Sequence, residues 1–213
     1  MKKQALLLTV VILLSVGTLA QAQDGISGTY EITYLSRYIW RGFDVYEDNH
    51  SAIQPLSLDL DLYGTGFGVK LFWSRAWNAG HENTEEMDVA LYYTNEIYED
   101  EMYATNYKIA WGYYGYPDEP RSVRDFQEFL VSLAWPKVCP AGVVPSYTIV
   151  RMWPSEGESD RNDNGGWLHI LGVGYDLTVP ELTPEISEQV VHLSADLVYN
   201  DGVGAGYLSL IHI

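Results

Sequence analysis

Between Ala52 and Arg75 the chain alternates apolar and polar residues almost without a break. Leu56, Leu58, Leu60 and Leu62 fall on one side of an extended chain, and Ser57, Asp59 and Asp61 fall on the other, because successive strand side chains point to opposite faces. Gly64-Thr65-Gly66 interrupts the pattern, which restarts with Phe67, Val69, Leu71 and Trp73 set against Gly68, Lys70 and Ser74. The two arms predict a β-hairpin around a very short turn, since glycine supplies the positive φ values such turns need. Each arm has roughly ten to twelve residues, the length a tilted strand needs to cross the hydrocarbon core of a bilayer.

The same period recurs at Gly28–Leu35, Met87–Asn95, Tyr103–Tyr113, Phe126–Trp135, Tyr147–Trp153, Trp167–Thr178 and Val190–Asn200, and Gly202–Tyr207 reads as the entry to one more strand. Polar, turn-rich segments separate them, among them Ser36–Asn49, Asn78–Glu86, Tyr116–Asp125 and Pro154–Gly166. About nine strands plus a fragment, spaced roughly every twenty residues, exceed the turn spacing of a soluble sandwich and fit barrel strands with long loops on one side. The pattern predicts an all-β fold, an antiparallel up-and-down transmembrane β-barrel of about 10–12 strands when complete. Pro55 removes a ladder donor inside a long strand and predicts strand onset or a bulge there.

The ends of the chain set the expected boundaries. Met1-Lys2-Lys3 is a short positive region, Ala5–Leu14 is apolar, and Ala20-Gln21-Ala22 is a small-x-small cleavage site, so residues 1–22 read as a bacterial secretory signal peptide. No later run is apolar and long enough for a membrane helix, so a membrane-spanning body over 23–207 must be a barrel, placed in the bacterial outer membrane. Leu208–Ile213 resembles the translated transposon mosaic-end adapter of sequencing libraries, which sets 208–213 apart as an artefact and makes the barrel incomplete at its C-terminus; the alternative is a genuine strand.

Charge and composition narrow the partners. The formal net charge is −17, and loss of a segment carrying Lys2 and Lys3 and no acid makes it two units more negative. Such acidity argues against nucleic acid or anionic lipid and suits an acidic, water-filled interior. Cys139 is the only cysteine, so no intrachain disulfide forms. The 17 Tyr and 7 Trp outnumber the 5 Phe, favouring rings with a polar tip that suit apolar–water boundaries. Tyr38, Trp40, Trp73, Trp77, Tyr103, Trp111, Trp135, Trp153 and Trp167 lie near strand ends and predict interfacial girdles, the alternative being the core of a soluble fold.

If the apolar face meets lipid, Glu31, Asp59, Asp61, Lys70, Asp88, Lys108, Asp176 and Asp196 line the pore, and an acidic lumen favours cations. The plainer alternative is the solvated face of an ordinary sheet. Arg37 and Arg41 either line a constriction or pair with Asp44, Glu47 and Asp48. The acidic clusters Glu99-Asp100-Glu101 and Glu156–Asp163 match no calcium-loop spacing. No His/Cys set has metal-ligand spacing, and neither a Gly-x-Ser-x-Gly elbow nor a glycine-rich phosphate loop occurs. No catalytic, cofactor or metal residue is therefore named, and an enzyme is not expected.

Ser36-Arg37-Tyr38-Ile39-Trp40-Arg41-Gly42, directly after the first strand, followed by Ala52-Ile53-Gln54-Pro55 at the start of a long alternating strand, resembles the TorF-type family of bacterial outer-membrane porins. The similarity covers the N-terminal part and continues only as a rhythm of strands and loops. It implies an outer-membrane barrel with passive or loosely selective transport, with Tyr38, Arg41 and Gly42 as the signature of its first loop. The expected function is a porin-like channel for passive diffusion of small hydrophilic solutes or cations, with outer-membrane lipid around it and the oligomeric state open. The alternative is a secreted or periplasmic soluble β-barrel, lipocalin-like, that binds an apolar ligand, because alternation does not say which face is inside. A barrel with a filled lumen serving structure or adhesion is the third reading.

Overall fold

A computed structural model describes residues 12–18, 25–46, 51–77, 85–156, 162–180, 189–204 and 208–212. Its strands are β1 (Ile12–Thr18), β2 (Ile26–Leu35), β3 (Ile39–Trp40), β4 (Phe43–Asp44), β5 (Ala52–Leu62), β6 (Phe67–Ala76), β7 (Glu85–Ile97), β8 (Thr105–Gly115), β9 (Phe126–Ala134), β10 (Val144–Pro154), β11 (Gly166–Val179), β12 (Gln189–Asp201) and β13 (Leu208–His212). No helix occurs among the described residues.

All strands but β3 and β4 form one antiparallel sheet in which spatial order follows chain order, from β1 through β2 and β5–β12 to β13. Nine of them, β2 and β5–β12, make a curled sheet, and β1 and β13 add backbone pairing at its two edges. The fold is therefore all-β, as the alternation predicts. β1 lies within the segment expected to be cleaved, whose positive start and Ala20–Ala22 triplet fall outside the described residues. β13 falls in the hexapeptide set apart by its adapter resemblance.

Strand limits differ from the expected ones where turns intervene. Tyr103 belongs to the turn before β8, which is closed by Glu101 N–H to Tyr98 O at 2.9 Å and Ala104 N–H to Glu101 O at 3.0 Å. Gly202–Tyr207 does not open a strand at Gly202, because the Asn200 side chain clasps the turn after β12, accepting from Val203 N at 2.9 Å and donating to Val203 O at 2.7 Å. Pro55 lies in a bulge: the register of β5 shifts between Ile53 and Leu56 against β6, and β2 shifts opposite it between Glu31 and Thr33. The freed Pro55 carbonyl accepts from the Tyr30 hydroxyl at 2.6 Å.

The register fixes which residues share a face. One row runs Thr29, Asp59, Lys70, Ala90, Gly112, Glu128, Met152 and Gly166, each directly opposite the next. The face carrying this row, on which the β3–β4 hairpin lies, is called inner below. The outer face carries Leu71, Leu91, Ile109, Phe129, Leu171, Val173, Leu193 and Leu197, all exposed, with Leu171 at 56% and Leu193 at 49%. Both buried clusters involve the segment 38–46: Tyr38 and Tyr46 pack with Ala52 and Ala76, while Trp40 and Phe43 pack on Tyr116, Phe126, Val150, Met152, Leu168 and Val198. Each large aliphatic or phenylalanine side chain taken out of water there contributes roughly 1.5–3 kcal/mol. The core thus sits between the sheet and one inward-folded loop.

Candidate functional site

The inward-folded loop, residues 36–46, is a miniature hairpin strapped across the inner face. Ile39 pairs with Asp44 and Trp40 with Phe43, leaving Arg41-Gly42 as a two-residue turn. Both turn residues have positive φ, 49° at Arg41 and 90° at Gly42, the combination a tight β-hairpin of matching twist requires. The Arg-Gly pair noted in the sequence is therefore the tip of the strap. Holding a non-glycine residue there costs about 1–2 kcal/mol, so something must retain Arg41.

Glu128 of β9 does so. The Arg41 guanidinium donates to Glu128 Oε2 at 2.5 Å and to Oε1 at 3.1 Å, and it also lies 4.3 Å over the Trp40 ring. The Tyr114 hydroxyl donates to Glu128 Oε1 at 2.8 Å. Burial alone lowers the basicity of the Arg41 guanidinium, but the Glu128 carboxylate and its hydrogen bonds outweigh that and leave it raised. Further anchors run along the strap. Arg37 holds Asp44 through Nε at 2.9 Å and Nη2 at 2.6 Å. The Tyr46 hydroxyl donates to Ser74 Oγ at 2.8 Å. Arg124 reaches Val45 O at 3.3 Å and stacks 4.4 Å over the Tyr116 ring, while the Tyr116 hydroxyl donates to Glu86 Oε1 at 3.1 Å.

This packing perturbs the phenols of the strap and of Tyr116 beside it. Burial, and then the facing carboxylates Glu86 and Asp88, push the Tyr38 and Tyr116 hydroxyls well above the ordinary tyrosine range. Tyr46 is raised chiefly by burial too, although its hydrogen bond to Ser74 works in the opposite direction.

All eight residues named as lining the lumen fall on the inner face by register: Glu31, Asp59, Asp61, Lys70, Asp88, Lys108, Asp176 and Asp196. They do not form one cluster. Asp61 caps the β5–β6 turn by accepting from Gly64 N at 2.5 Å. Asp59 accepts from the Tyr92 hydroxyl, and the Tyr92 ring carries Lys108 Nζ at 4.2 Å. That ring lies over Gly68, where a Cβ would come within 2.0 Å of Tyr92 Cζ. At the opposite side of the sheet Asp176 bonds His192 Nδ1 at 2.5 Å, and with Ser146, Ser194 and Asp196 they line an open recess of about 330 Å³. Asp88 stands beneath the strap, its Oδ1 shut off from solvent with no hydrogen-bond partner among the described residues.

Three readings change. Tyr38 and Trp40 are not girdle residues, because the strap turns them inward onto Phe72 and Tyr114, with Trp40 and Tyr114 ring centres 5.4 Å apart. Arg41 bonds Glu128 of β9 rather than Asp44, which Arg37 holds as expected; Glu47 and Asp48 lie outside the described residues. The inner face is not uniformly polar, since Phe126, Val150, Met152 and Leu168 are buried on it. Glu86, Tyr114 and Glu128, which brace the strap and the Tyr116 beside it, are not among the residues the sequence singles out. The alternation Phe126-x-Glu128-x-Leu130 already set Glu128 opposite the outward Phe129 and Val131, so the signal was present in its phase. No metal-holding group of His, Cys, Asp and Glu occurs among the described residues. Compared with protein-family models, with curated proteins and with solved structures, the chain finds no match.

Proposed function

We propose that this chain forms an outer-membrane porin-like channel through which small hydrophilic solutes or cations diffuse passively. One observation carries the reading. Exposed apolar side chains of β6–β9, β11 and β12 dominate the outer face, where Arg151 of β10 stacks over Trp167, while the eight expected charges keep to the inner face. In water such an apolar band exceeds what a monomer exposes without a partner; in a bilayer it is the required surface. Strand length agrees, because the 13 residues of β7 at about 3.3 Å each, tilted by ~45°, span the ~30 Å core. Near the short turns Phe67, Tyr93 and Tyr107 run side by side at ring separations of 4.7 and 6.1 Å, an arrangement suited to an interface.

The strap narrows the lumen, and its charged tip faces Glu128. The eight charges spaced along the inner face suit hydrated solutes better than an apolar ligand, so the channel is preferred to the soluble ligand-binding barrel. The resemblance of residues 36–55 to TorF-type porins points the same way. The test is fractionation of cells expressing the full reading frame, then a denaturing gel with and without boiling. A membrane-located band whose mobility shifts on heating, followed by conductance in planar bilayers, is the expected result. A soluble band without a shift overturns the reading.

A further inference from the structure

Beneath the strap, between it and β6–β8, lies a pocket of about 290 Å³ whose walls include Tyr38, Trp40, Lys70, Phe72, Asp88 and Tyr114. We propose that this pocket binds a free α-amino acid with an apolar side chain, its ammonium against Asp88 and its carboxylate against Lys70. Two opposite charges line one cavity here, yet no ion pair joins them among the described residues. Phe72 is directly opposite Asp88 and Lys70 directly opposite Ala90, so Lys70 and Asp88 are diagonal neighbours across the β6–β7 ladder. Diagonal positions stand about 7–8 Å apart. The flexible four-carbon stem of Lys70 lets its ammonium reach the carboxylate of an amino acid whose own ammonium sits at Asp88.

Asp88 supplies the acidic wall. Its Oδ1 is shut off from solvent with no hydrogen-bond partner among the described residues, so the ligand's ammonium meets the carboxylate where the side chain lines the cavity. Lys70, for its part, faces Asp59, whose carboxylate already accepts from Tyr92. A bare cation leaves Lys70 as a repelling neighbour. A bare anion meets Asp88, which has the charges of Glu86 and Glu128 within electrostatic reach. Only a ligand with both charges satisfies both walls. The ring pairs Trp40–Tyr114, at 5.4 Å, and Tyr38–Phe72, at 6.4 Å, then receive its apolar side chain.

The proposal rests on the channel reading for the solute's route to the pocket, but binding is measured without conductance. The full chain, folded in detergent, is titrated calorimetrically with phenylalanine, with 2-phenylethylamine, which lacks the carboxylate, and with 3-phenylpropionate, which lacks the ammonium. Phenylalanine is expected to bind at least about tenfold more tightly than either, the discrimination one hydrogen bond to a charged group supplies. Asp88→Asn and Lys70→Met each remove that advantage. The three-ligand comparison needs no variant and stands even if a variant fails to fold. An analogue that binds as tightly as phenylalanine, or no phenylalanine binding at millimolar concentration, overturns the site. Binding without conductance keeps the site and removes the channel, and conductance without binding does the reverse.

Discussion

Leu91 and Ile97 sit on the same strand and the same face, 51% and 44% exposed, and differ chiefly in depth. Leu91 is the midpoint of β7 and Ile97 its last residue. At about 3.3 Å per residue Ile97 lies ~20 Å along the strand from Leu91, or ~14 Å in depth for a ~45° tilt, which is the edge of a ~30 Å hydrocarbon core. Arginine at the midplane of a lipid-facing barrel surface costs about 2–4 kcal/mol, and near the interface about 0–1 kcal/mol. On a water-facing sheet both substitutions stay within about 0.5 kcal/mol, because neither removes a buried group. Leu91→Arg is therefore expected to destabilise the protein by about 2–3 kcal/mol more than Ile97→Arg. The assay is urea unfolding from lipid vesicles, followed by tryptophan fluorescence, with matched denaturant slopes. Equal costs at the two positions refute the lipid-facing assignment of this face.

Three further outcomes are expected. Arg41→Met and Glu128→Leu, which each strand a buried charge, cost about 3 kcal/mol singly, while the double variant costs far less than their sum; additive losses in the same unfolding assay contradict the pair. Tyr38, Tyr46 and Tyr116 are raised above the ordinary value of 10.0 in the fold, so the unfolded chain ionises first, and stability is full below about pH 10 and falls as pH rises beyond it. Tyr46→Phe makes that fall in melting temperature shallower, at the cost of about 1 kcal/mol for the lost bond to Ser74; an unchanged slope removes Tyr46 from the effect. Asp59→Asn combined with Asp61→Asn lowers cation preference in reversal-potential measurements, and an unaltered preference takes both carboxylates out of the conduction path.

Much of this fold is legible because a strand's period is two and the chain keeps it. The hairpin from Ala52 to Arg75, the bulge at Pro55 and the inward phase of Asp59, Lys70, Asp88 and Lys108 all follow from alternation and the chemistry of proline and glycine. The strap was not legible in the same way. Residues 36–46 carry no long period, and their fold depends on contacts with strands far along the chain, Glu128 above all. Tyr38 and Trp40 look like boundary aromatics until the Arg41-Gly42 turn is seen to aim them inward. Val150, Met152 and Leu168 read as ordinary inner positions because nothing local announces that Trp40 and Phe43 cover them.

The separation of faces also works as an error check during assembly. A one-residue slip in β7 sends Glu86 and Asp88 outward and brings Met87, Val89, Leu91 and Tyr93 inward, and every other long strand fares the same way. In a bilayer each misplaced carboxylate meets hydrocarbon instead of water. On the channel reading, insertion would therefore proofread registration, because the bilayer rejects wrong pairings and only a correctly phased sheet offers Glu128 to Arg41.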